Sequence, residues 1–160
     1  IPAASDVVSR VPNFSITGLR GATFAVSATS TGQSLTRTGA TTFNFTNSGI
    51  RRSFVTPKGE TILDITTATG SAIQVTGNSR ANRTVSGGSL VVTNNISGVS
   101  CTLTPSSVQW SSGCNCPTAG QWTGSCSDSS QFTVAFGNSC GQATVTKGSG
   151  SSTVILDRCQ

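Results

Sequence analysis

Val99-Ser-Cys-Thr-Leu-Thr-Pro-Ser-Ser-Val-Gln-Trp110 and Gly120-Gln-Trp-Thr-Gly-Ser-Cys126 read as two strands of one antiparallel hairpin closed by the loop 111–119. Opposed residue numbers in such a hairpin sum to about 227–229, which sets Cys101 opposite Cys126. Facing residues of a non-hydrogen-bonded antiparallel pair come close enough for a disulfide. A second hairpin, 141–147 with 152–158 around Gly148-Ser-Gly-Ser151, brings Cys140 and Cys159 to one end of a sheet. A bond between those two would leave Cys114 and Cys116 to close a strained Cys-Asn-Cys ring. The loop is therefore expected to fold onto the sheet end, its two thiols bonding Cys140 and Cys159 individually. Which takes which is open.

Alternation continues upstream. Ala22-Thr-Phe24-Ala-Val26-Ser-Ala28 and Thr41-Thr-Phe43-Asn-Phe45-Thr46 place an apolar side chain at every second position, the period of a half-buried strand. Pro57-Lys-Gly59 predicts a turn between Phe54-Val55 and Thr61–Ile65. Gly87-Gly88 predicts a two-residue hairpin loop between Arg83–Ser86 and Ser89–Val92. Strands at regular spacing with Gly/Ser turns predict an all-β fold, a Greek-key-like β-sandwich with its C-terminal half stapled by disulfides. The organisation expected is an extended arm over 1–20, a cysteine-free β half over 21–69 and a disulfide-rich β half over 70–160, the last two possibly one continuous sandwich. The arm carries two prolines and the apolar patch Val7, Val8 and Val11. It suits either an added strand on a neighbouring subunit's sheet edge or a return along its own domain.

Composition excludes more than it specifies. The 160 residues contain six Cys, all in the last 60, and no His, Met or Tyr; 34% are hydrophobic and 9% charged. An even cysteine count points to an oxidising compartment. The chain begins at Ile1 without Met, as a chain does after removal of a signal peptide. A secreted or surface-displayed protein is expected, with no membrane insertion, because no apolar run nears the roughly 20 residues of a spanning helix.

Without His, no Ser or Cys has its usual base, and only Glu60 and Asp64 form a close carboxylate pair. The spacing Cys114-x-Cys116 fits zinc poorly. No enzyme, no metal and no organic cofactor are therefore expected. The net charge of +5 is spread along the chain, with Arg51-Arg52 beside Phe54 as its one cluster, so no nucleic-acid partner is expected. Trp110 and Trp122 offer either core packing over the Cys101–Cys126 bridge or a stacking platform for a sugar.

The stretch Arg83-Thr-Val-Ser-Gly-Gly-Ser-Leu-Val-Val-Thr-Asn-Asn-Ile96, with Cys114-x-Cys116-Pro117, Cys140-Gly141 and Cys159, resembles the C-terminal β-domains of uncharacterised exported bacterial proteins. The Thr/Gly/Ser/Val-rich, His-free composition is similar to that of bacterial pilin and surface-fibre subunits. With the proline-bearing arm, the low charge and the absence of any chemical constellation, the expected role is a structural subunit of a homopolymeric surface filament assembled by N-terminal strand exchange, with Val7, Val8 and Val11 as subunit contacts. A glycan-binding or adhesion module using Trp110 and Trp122 is the alternative.

Overall fold

The computed structural model describes residues 6–137, 139–157 and 159, so the first five residues of the arm and Arg158, the end of the expected last strand, lie outside the described residues. Among the described residues, fifteen strands form one antiparallel sheet. The first ten come as five long strands, each bent in the middle: β1 (Val7–Arg10) into β2 (Asn13–Thr17), β3 (Thr23–Ala28) into β4 (Gln33–Arg37), β5 (Thr42–Asn47) into β6 (Ile50–Val55), β7 (Thr61–Ser71) into β8 (Ile73–Thr76), and β9 (Thr84–Ser86) into β10 (Ser89–Asn94). Then follow β11 (Ser100–Trp110), β12 (Pro117–Cys126), β13 (Gln131–Phe136), β14 (Gln142–Lys147) and β15 (Gly150–Ile155).

The bends divide the sheet into two leaves. The large leaf runs β2-β3-β6-β7-β10-β11-β12-β13-β14-β15, and the small leaf, β1-β4-β5-β8-β9, joins it at β11. The all-β class and the stapled C-terminal half are as the sequence reads. The connectivity is a meander: each long strand pairs with the next in sequence. The links between long strands span only two to seven residues, too short for the return connection of a Greek key. Gly70 lies inside β7, and the sheet is continuous across it.

Period-2 alternation gives the large leaf two unlike faces. Register rows set Phe14 beside Val26, Arg52 and Ile65, and Ile16 beside Phe24, Phe54 and Leu63, all on one face. Pro105, Trp122, Val134 and Val145 continue that face across the C-terminal strands. The opposite face is mostly polar, as in the rows Ser15, Ala25, Ser53 and Asp64 and Asn13, Ser27, Arg51 and Thr66. The small leaf folds over the apolar face, and the core forms there. Ile73, Val85 and Val108 are buried at its centre, with Phe45, Val75, Leu90, Trp110, Trp122 and Phe136 packed around them.

Small or ring-constrained residues mark the fold line. Hydrogen bonds stitch it across strands, from Ala28 N–H to Pro12 O (2.7 Å), Ser48 N–H to Gly32 O (2.8 Å) and Thr29 N–H to Gly49 O (2.9 Å). The buried Asn47 pins the bend between β5 and β6. Its Nδ2 donates to Thr67 O at 2.9 Å, its N–H donates to Thr69 Oγ1 at 3.0 Å, and its Oδ1 accepts from Gly49 N–H at 3.0 Å. Every polar atom of that side chain is satisfied, as burial demands.

The expected Gly87-Gly88 hairpin is corrected here. β9 pairs with β8 and β11, and β10 pairs with β7 and β11, never with each other. The two glycines have the positive φ expected of them, +62° and +67°, but use it to bend one strand. The Pro57–Gly59 turn between β6 and β7 stands as read, and the last hairpin forms with a tighter turn than expected, Gly148-Ser149, so that its second strand is Gly150–Ile155 and not 152–158.

Candidate functional site

The two leaves enclose an open groove of about 730 Å³. Its floor and walls are apolar: Phe43, Phe45, Ile73 and Val75 come from β5 and β8, and Leu90, Trp110 and Trp122 from the large leaf. Both tryptophans are half-buried. They pack on the Ile73–Val85–Val108 cluster, while the Cys101–Cys126 bridge sits farther along the same face, beyond Leu103 and Gly124. The guanidinium of Arg83 lies 5.8 Å from the Trp110 ring, a cation–π distance.

Several of these wall residues escape a linear reading. Phe43-x-Phe45 and Ile73-x-Val75 alternate and so announce an apolar face, but nothing in the sequence says that this face turns back over Trp110 and Trp122.

All six cysteines are paired: Cys101–Cys126, Cys114–Cys140 and Cys116–Cys159. The first joins facing residues of β11 and β12, whose numbers sum to 227 as counted. The other two tie the loop after β11 to the end of the last hairpin, and Cys114 is wholly buried there. Asn115 N–H donates to Cys159 O at 2.7 Å between the two bridges. These thiols are spent as cross-links, which place the chain in an oxidising compartment.

The arm lies on its own sheet. β1 pairs with β4 (Val8 beside Leu35) and β2 with β3, so residues 7–17 form one outer edge. Among the described residues, β1, β2 and β15 each pair on one side only. The arm also carries most of the exposed apolar bulk. Of ten large hydrophobic side chains described as exposed, six are Val7, Val8, Val11, Phe14, Ile16 and Leu19, and Ile155 on β15 is another.

Arg51 and Arg52 point to opposite faces, because consecutive strand residues must. Arg52 Nη1 reaches Thr67 Oγ1 at 3.3 Å among the apolar rows. Arg51 pairs bidentately with the buried Asp64 on the polar face, with Nε to Oδ1 at 2.8 Å, and Asn95 Nδ2 donates to the same carboxylate at 2.7 Å. These bonds, Arg51 first and Asn95 second, lower the Asp64 pKa from 3.8 to about 2. Glu60 sits exposed in the turn before β7, away from this network.

A folded-state pKa below the unfolded one means that the network stabilises fully above the unfolded value near 4. Its contribution fades as pH falls toward 2. Urea midpoints measured between pH 2 and 6 should drop through that window for the natural chain. The drop should be visibly shallower in Asp64→Asn, and equal slopes would show the carboxylate to be unlinked to folding.

No protein-family model, curated protein or solved structure matches this chain.

Proposed function

We propose that this chain is an extracellular structural subunit that assembles into a homopolymeric surface fibre, with its N-terminal strand adding to a neighbour's open sheet edge. The observation that carries this reading is the outer edge over residues 7–17. It pairs on one side only and carries five of the ten exposed large apolar side chains among the described residues, the combination that invites strand addition. The sheet offers a matching edge at the other end. The meander has ten long strands, an even number, so β15 runs opposite to β1 and β2. A neighbour docked in the same orientation therefore meets β15 antiparallel and continues the alternation. Such a contact is head-to-tail; it leaves a free edge at each step and, with sheet twist, builds a helical filament.

The surface area agrees. The chain exposes 9236 Å² at 16.2 kDa, roughly a quarter more than the roughly 7,500 Å² of a compact monomer of that mass. Low charge makes subunit faces cheap to desolvate. The glycan-binding alternative draws less from the groove, whose polar side chains are Asn78 and Arg83 alone among the described lining. A sugar presents hydroxyls that need more partners than these.

Electron microscopy of the full-length chain beside a variant lacking residues 1–17, which removes both β1 and β2, tests the reading. Filaments are expected from the full-length chain only. If it stays monomeric by light scattering at high concentration, or if the truncated variant polymerises as well, the N-terminal edge does not build a fibre.

A further inference from the structure

We propose that the groove between the leaves is a binding site for one long-chain carboxylate, its hydrocarbon against Phe45, Ile73 and Leu90 and its headgroup at Arg83. The inference does not rest on fibre assembly, which uses the sheet edges; among the described lining the two share Val8 of β1.

Three observations select this ligand. The groove volume, about 730 Å³, falls within the roughly 300–1,000 Å³ of small-molecule sites and suits a single chain better than a protein segment. Its walls are almost wholly apolar and come from two leaves held together by the fold line, so they are already shaped before any ligand enters. Apolar surface left open this way gains by covering, at roughly 25 cal/mol per Å².

The third observation is charge. Arg83 is the one ionisable residue among the described lining, and no carboxylate lines the groove to oppose an anion. Its side chain is exposed and lies against Trp110, which leaves the guanidinium edge able to donate to a carboxylate in the paired geometry that arginine favours. A cationic head would meet Arg83 as a like charge, and an uncharged head would leave it unpaired. A free fatty acid fits better than an anionic bilayer, because the groove between the leaves holds one hydrocarbon chain beside one basic residue, Arg83.

The chain supplies its own reporter, since its only two tryptophans both line the groove. Fluorescence titrations below the micellar range would compare laurate, dodecyltrimethylammonium and dodecyl maltoside, with phosphatidylglycerol vesicles as a fourth arm. Laurate should give a saturable shift at one equivalent per chain, with affinity at least about tenfold above the cationic analogue, as one charge-assisted bond implies. Arg83→Gln should weaken laurate by about tenfold and erase that preference, and Arg83→Glu should invert it. Arg83 is exposed, so both variants should keep the β-rich far-UV spectrum and three intact disulfides.

No response to laurate overturns the proposal, as does an equal response in Arg83→Gln. A response to vesicles alone assigns the site to a membrane surface instead. A tryptophan shift that follows protein concentration and blocks laurate assigns the groove to a second copy of the chain.

Discussion

Complete reduction of the three disulfides should unfold the C-terminal half at room temperature, or lower the thermal midpoint by at least about 15 °C. The bridges close loops with sequence separations of 25, 26 and 43 residues. Each should stabilise by about 2–4 kcal/mol, which together rivals the roughly 5–15 kcal/mol of a whole domain. Little else can compensate. The buried core centres on Ile73, Val85 and Val108, and most other apolar side chains on the large leaf are only half-covered. Cys114–Cys140 and Cys116–Cys159 also tie the loop after β11 to the two ends of the last hairpin, so the double variant Cys116→Ser/Cys159→Ser should free the end of β15 first. Near-UV circular dichroism of Trp110 and Trp122, followed against temperature with and without reductant, measures the loss. Six titrated thiols with an unchanged melting curve would show that packing alone holds this half.

That bridge pattern was legible to different depths. Cys101 opposite Cys126 follows from counting along one hairpin, because register is local and antiparallel pairing conserves the sum of residue numbers. The pairing of Cys114 and Cys116 with Cys140 and Cys159 as a group is also legible, since a ring of three residues is too small. Which thiol meets which depends on how the loop turns over the sheet end, and no local pattern encodes that. The apolar and polar faces were readable from alternation alone at Phe24-x-Val26 and Phe43-x-Phe45, whereas Phe14-x-Ile16 lay in a segment read only as an extended arm.

The division into two leaves was not readable. It depends on Pro12, Gly32, Gly49, Ala72 and Gly88 falling into line across five strands, and that alignment exists only once the strands are paired. The basic cluster Arg51-Arg52 illustrates the same limit. Adjacent in sequence, the two residues serve opposite faces, one bound to Asp64 and the other to Thr67. The groove combines both cases: its wall residues announce themselves by alternation, and their facing one another is a product of the fold line.

Gly88→Ala should cost roughly 3–5 kcal/mol, whereas Gly87→Ala, one residue away, should cost only about 1. Both glycines have positive φ, so both substitutions carry the strain of a side chain in the left-handed region. Their surroundings separate them. A Cβ at Gly87 meets nothing within 4 Å. At Gly88 it would stand 2.1 Å from the Ala72 carbonyl oxygen and 2.8 Å from the Ile73 Cα, which are backbone atoms of the neighbouring bent strand and cannot rotate away. Relief requires β8 and β9 to part from β10 at the fold line, and Ile73 and Val85 lie directly beyond it in the core. Loss of stability should therefore come with loss of the groove, read as greater solvent exposure of Trp110 and Trp122 before global unfolding. Urea midpoints of the two variants, with tryptophan emission followed in the same titration, check both parts. Equal midpoints for Gly87→Ala and Gly88→Ala would mean that the two leaves are not held at this contact, and the bent meander would lose its main mechanical support.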